Sequence, residues 1–160
     1  MADPFLTSAR EVLERSQAEI RACIEGLGPE ALNWRPAGDD TNSIAVLATH
    51  VLSSTRFWLT IAVGAPLPDR DRPSEFRTEA PSADALLRFV DSMSSDCLSL
   101  LDPSRTVNWS ALIDPRLQPQ DQQRLPAAWA LLHALSHLRE HVGQMLLTRQ
   151  LWEARAARLD

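Results

Sequence analysis

The stretch PAAWALLHALSHLREHVGQMLLTRQLWEARA, residues 126–156, decides how this chain is read. After Pro126 it holds no further proline and a single glycine, Gly143, so nothing in its interior breaks a helix. Pro126 suits a first helical position, where its fixed φ helps and its missing N–H costs nothing. From Leu131 to Leu147 the segment is apolar nearly all round, apart from its histidines, Ser136, Arg139, Glu140 and Gln144. That composition predicts a buried helix whose histidines line an internal cleft.

The chain has four histidines, and three of them, His133, His137 and His141, repeat every four residues in this segment. Four residues turn a helix by about 400°, so each imidazole is displaced by about 40° from the last. His137 and His141 can therefore aim at one point. The fourth, His50, lies in a second apolar segment and can supply a third ligand from a facing helix. Burying three imidazoles without partners costs roughly 1–3 kcal/mol each, so they face solvent or bind something. Three neutral imidazoles with an open fourth position is how a reactive zinc-type site is built.

Three other long helices are predicted upstream. The first runs from about Pro4 to Gly26, with Asp3 as N-cap and a stripe of Leu6, Val12, Leu13 and Ile20. The second runs from about Ser43 to Val63, with Ile44, Leu47, Val51, Phe57, Trp58 and Ile61 on a wide apolar face. The third runs from about Ala83 to Leu101 behind Ser82. Residues 28–42 read as a connector rich in turn formers, from which Leu32 and Trp34 pack down. Residues 69–81 are polar with alternating charges and read as a surface crossing. Residues 104–125 form the longest irregular stretch, where Val107, Trp109, Leu112, Ile113 and Leu117 make a strap or short turns. Residues 1–160 are thus read as one all-α domain, a four-helix bundle whose long connections leave room for a crossover.

Composition excludes several classes. The net charge is −5 and no basic run stands out, so no nucleic-acid partner is expected. No apolar run approaches the 18 residues that span a bilayer, so no membrane is expected either. Met-Ala-Asp-Pro-Phe lacks the charged and apolar regions of a secretory signal. Cys23 and Cys97 match no metal or redox spacing, and the expected location is cytoplasmic. The pairing of Glu-x-x-His on two helices, which marks di-iron bundles, is absent. His137-Leu-Arg-Glu140-His141 does match the inverted zinc-protease pattern. Yet only nineteen residues follow His141, and Glu140 with Arg139 reads as part of a solvent-facing stripe. No Gly-x-Ser-x-Gly elbow and no Gly-rich phosphate loop occur.

Several of these residues carry a resemblance. Leu32-Asn-Trp-Arg-Pro36 followed by Asn42-Ser-Ile44, then His50 with Phe57-Trp58, then Ala128-Trp-Ala-Leu-Leu-His133 leading to His137, His141, Gly143 and Gln144, together resemble the DinB-like superfamily. The likeness covers nearly the whole chain. It implies an up-down-down-up four-helix bundle. It also implies that His50, His137 and His141 bind a divalent metal such as zinc or nickel, with His133 a supporting partner, a pocket residue or an ordinary core histidine. Relatives include thiol transferases and isomerases, so the resemblance implies a metal-dependent enzyme acting on a small molecule with a low-molecular-weight thiol as co-substrate. The rivals are a metal-dependent hydrolase and a non-catalytic metal- or ligand-binding stress-response bundle. Apolar bundle faces would suit a homodimer.

Overall fold

Each long helix starts where its capping chemistry says it should. Asp3 Oδ1 accepts from the backbone N–H groups of Phe5 (2.8 Å) and Leu6 (3.1 Å), opening α1, Pro4–Ile24. Ser43 Oγ accepts from Val46 N–H at 3.2 Å and opens α3, Ile44–Val63. Ser82 Oγ accepts from Ala85 N–H at 3.1 Å and opens α5, Ala83–Leu100. The last helix, α6, Ala127–Ala156, begins directly after Pro126. Gly64 closes α3 in the left-handed conformation (φ 68°). Its N–H reaches Ile61 O while Ala65 N–H reaches Thr60 O, a pair of bonds that only a residue without a Cβ makes without strain. These facts come from a computed structural model that describes residues 2–113 and 124–158.

The connections hold more structure than their composition announces. Residues 28–42 contain α2, Pro29–Asn33, and a 3-10 turn, Gly38–Asp40. The polar crossing before Pro81 contains α4, Arg72–Glu75. In the strap, β1 (Leu112–Ile113) pairs antiparallel with β2 (Leu125–Pro126), Leu112 standing opposite Pro126. Trp109 donates from Nε1 to Asp3 Oδ2 at 2.8 Å and tilts against Phe5, tying the strap to the start of α1. Leu117 lies outside the described residues.

The expected all-α bundle is what forms. The principal contacts set α1 against α5 and α6, and α3 against the same two helices, so α1 lies diagonally from α3. Leu6, Leu13, Ile20 and Ile24 from α1, Leu52 and Leu59 from α3, Val90 and Cys97 from α5, and Ala134, Leu138, Val142 and Met145 from α6 close the core. Fifteen of the twenty residues of α3 are buried. By length and composition α3 is apolar enough to cross a bilayer, contrary to the expectation that no segment would be, but most of it is buried inside the bundle, as in a core helix. The expectation for α6 also needs correcting. Trp129, Leu132, Leu147 and Leu151 are exposed, Leu132 to 66%. α6 packs on α1 and α3 along two faces and turns a third outward, so part of its apolar excess sits at the surface.

This packing predicts a contrast. Leu13→Ala, at a side chain with no exposure, costs about 2–5 kcal/mol of unfolding free energy, whereas Leu132→Ala stays within about 0.5 kcal/mol. Chemical denaturation of both variants measures it, and equal losses would contradict the described core.

Candidate metal centre

The packing of α3 on α6 brings three of the four histidines together. His50 points from the second turn of α3, and His137 and His141 from successive turns of α6. One ligand nitrogen from each lies within 4.8 Å of the others. Ring centroids are 5.3 Å apart for His50 and His137, 5.2 Å for His50 and His141, and 4.4 Å for His137 and His141. Nitrogens bound to one tetrahedral zinc at 2.0–2.1 Å stand about 3.3 Å apart. The trio is thus slightly wider than a closed site, by a distance that small side-chain rotations cover.

The hydrogen bonds behind the rings set which nitrogen faces inward. His50 Nδ1–H donates to Glu75 Oε2 at 2.8 Å, which leaves Nε2 as a lone pair. His141 Nδ1–H donates to Gln144 Oε1 at 2.7 Å, with the same result. His137 Nε2 stands 3.1 Å from His141 Nε2, and His137 Nδ1 is buried without a partner among the described residues. A neutral His137 must either leave Nδ1 as an orphan acceptor or set two lone pairs face to face. A cation between the two Nε2 atoms removes the second difficulty, so the donor set fits a metal on this chain's own geometry.

Electrostatics favour the neutral, ligating form. Burial, with the neighbouring histidines and Arg70 adding to it, pushes His137 down to about 4. Burial also lowers His133, and it lowers His141 against the opposing pull of the Gln144 hydrogen bond. Burial alone would raise the Glu75 carboxyl, but hydrogen bonds from His50 and Arg70 and the charge of Arg70 outweigh it and hold the group below its usual range.

His133 stands outside the trio. Its ring stacks on Trp129 (4.8 Å, 7°) and meets the edge of Trp58 (4.6 Å), with His137 5.7 Å away. It forms part of an aromatic wall beside the site. Glu140 is exposed, and its neighbour Arg139 reaches Glu19 Oε2 at 2.8 Å and Ser16 Oγ at 3.1 Å, so the inverted-protease pattern falls on the surface stripe. Cys23 and Cys97 are free and buried, and burial pushes their thiols up to about 11 and about 12.

Three residues of the site escaped the sequence reading. Glu75 was hidden in a segment that looks like surface, Arg70 in the same alternating charges, and Gln144 among the polar residues of α6. Asp71-Arg-Pro-Ser-Glu75 does signal a helical turn, since Asp71 Oδ1 caps Ser74 N–H at 3.2 Å and Pro73 lies in the first turn. It says nothing of what that turn packs against.

A family model of the DinB superfamily matches residues 12–145. The comparison with curated proteins found no match. Among solved structures, a crystal structure of a conserved protein from Enterococcus faecalis superposes with a TM-score of 0.70 at 18% identity, covering 91% of this chain and 95% of that one. At that identity the likeness speaks for the fold. The family match spans most of the chain and takes in His50, His137 and His141: this protein belongs to the DinB superfamily.

Proposed function

We propose that this chain is a divalent-metal-dependent enzyme, with the ion held by His50, His137 and His141, that transfers or isomerises a group using a low-molecular-weight thiol. The observation that carries this reading is the convergence of three imidazole nitrogens from two helices, with two of the rings already fixed from behind by Glu75 and Gln144. Held by His50, His137 and His141, a zinc or nickel ion would supply the positive charge that lowers the pKa of a thiol or a water towards neutral pH. The three imidazoles bring no charge of their own to offset that of the cation. Glu75 and Arg70 stand behind His50 as an ion pair of opposite signs. Beside His137, the stacked rings of His133 and Trp129, backed edge-on by Trp58, offer a substrate an aromatic contact. A reducing compartment such as the cytoplasm suits both a thiol co-substrate and two free cysteines.

A non-catalytic metal- or ligand-binding bundle is the second reading. It is favoured by the buried thiols of Cys23 and Cys97 and the outward Glu140, so that among the described residues no cysteine or unpaired carboxylate joins the trio.

Metal analysis of untagged protein is expected to find about one divalent ion per chain, and none in His137→Ala. A metal-free wild type would overturn the metal reading. The metal-loaded protein is expected to conjugate or isomerise an electrophile with at least one member of a thiol panel, faster than the thiol alone. Bound metal with no turnover across the panel would decide for the binder.

The burial that keeps His137 neutral also makes the metal-free protein acid-sensitive. His137 lies at about 4 folded against 6.5 in a model peptide, so the unfolded chain binds the extra proton first as pH falls. Its contribution is complete above about pH 6.5 and is lost as pH drops towards 4. Denaturant unfolding of the metal-free protein should therefore show a loss between pH 7.5 and pH 5, on the order of 1 kcal/mol once solvent screening of the half-buried ring is allowed for. Unchanged or higher stability at pH 5 would contradict the buried, neutral state of His137.

A further inference from the structure

We propose that Glu75 is a positioning residue for His50, and that the affinity for the cation is set in part from a second strap, the crossing of residues 69–81 between α3 and α5, outside both ligand-bearing helices. The inference rests on the reading that the three histidines hold a metal. Glu75 is 4% exposed, although Arg72, Pro73 and Ser74 of the same short helix are all exposed. A glutamate has ample reason to stay in water, since burying a carboxylate carries a large desolvation cost unless its oxygens find donors. Here they do. Oε1 accepts from Arg70 Nε at 2.7 Å. Oε2 accepts from Arg70 Nη2 at 2.9 Å and from His50 Nδ1 at 2.8 Å.

With both oxygens engaged on the far side of the His50 ring, Glu75 buttresses that ring and is not itself a ligand. Its bond fixes the Nδ1–H tautomer and turns Nε2 towards His137 and His141. A carboxylate behind a ligating imidazole also raises the basicity of the nitrogen that faces the metal. Phe76, the next residue, packs against the other side of the arrangement, its ring centroid 4.6 Å from that of His50.

The strap is itself held at two points by the connector between α1 and α3. Arg35 donates from Nη2 to Phe76 O at 3.1 Å and from Nη1 to Thr41 O at 3.1 Å. Asn33 makes a reciprocal pair with Ala80, donating from Nδ2 to its carbonyl (2.9 Å) and accepting from its N–H (2.8 Å). Arg70 in turn lies over the Phe57 ring of α3, 5.4 Å from its centroid. Leu32-Asn-Trp-Arg-Pro36 thus reaches the site through two intermediates: Asn33 and Arg35 fix the strap, the strap carries Glu75, and Glu75 orients His50.

A purely structural ion pair would pin the strap and do nothing for the metal. Zinc affinity of the full-length apoprotein, measured by competition with a chromogenic chelator, separates the two roles. Glu75→Ala is expected to bind zinc roughly 10–100-fold more weakly than wild type while keeping its far-UV circular dichroism. Glu75→Gln, which keeps an acceptor for His50 but no charge, should fall between the two. Arg35→Ala should weaken binding in the same direction by a smaller factor. A folded Glu75→Ala that binds zinc as tightly as wild type overturns the proposal, even if its melting temperature drops. Should the alanine variant not fold, the near-isosteric Glu75→Gln decides by the same comparison: weaker binding supports the proposal, unchanged binding overturns it. A wild type that takes up no zinc would instead sink the metal reading itself, which keeps the two failures apart.

Discussion

Everything at the candidate site depends on the packing of α3 against α6. One histidine comes from the first helix and two from the second, so no single helix can assemble the trio. Slipping α6 by one turn would carry its imidazoles about 5.4 Å along the axis, far beyond the reach of a metal–nitrogen bond of about 2 Å. The register is held by apolar side chains with nowhere else to go. Ala134, Leu138, Val142 and Met145 from α6 meet an α3 whose residues are buried on nearly every side. The core is thus the part of the molecule that fixes ligand geometry, and burial and site geometry cannot be changed independently.

The same packing grades the burial of the three histidines. His50 is buried, while His137 and His141 are half-buried, beside the outward stripe of α6 that exposes Trp129, Leu132 and Leu147. The rings of His133, Trp58 and Trp129 continue from His137 along α6. On the opposite side, Arg70 and Glu75 close the back of His50 with two charges that offset one another. At His137 and His141 burial opposes protonation and so leaves their nitrogens free to ligate.

Much of this was legible in the chain. Asp3, Ser43, Ser82 and Pro126 marked the helix starts to within a residue or so, because a cap is a local interaction written in consecutive residues. The four-residue spacing of His137 and His141 fixed their common face for the same reason. Meeting His50 required only that two apolar helices pack. What was not legible depends on contacts distant in sequence. Glu75 finds His50 twenty-five residues away, and nothing in its alternating-charge neighbourhood distinguishes it from an exposed glutamate. Asn33 grips Ala80 across forty-seven residues from a connector that reads as turns. The exposed leucines of α6 follow the same rule: an apolar residue has a face only once its neighbours are placed, and α6 has fewer neighbours than its composition implies.

X-ray absorption at the zinc edge, on full-length protein loaded with one equivalent of zinc, tests the shared three-imidazole site most directly. The expected first shell holds three nitrogens at about 2.0–2.1 Å plus one lighter or exchangeable ligand, with the outer-shell scattering of three imidazole rings, one of which disappears in His50→Ala. A first shell of oxygens, or a ring count that does not change when residue 50 is replaced, would contradict it.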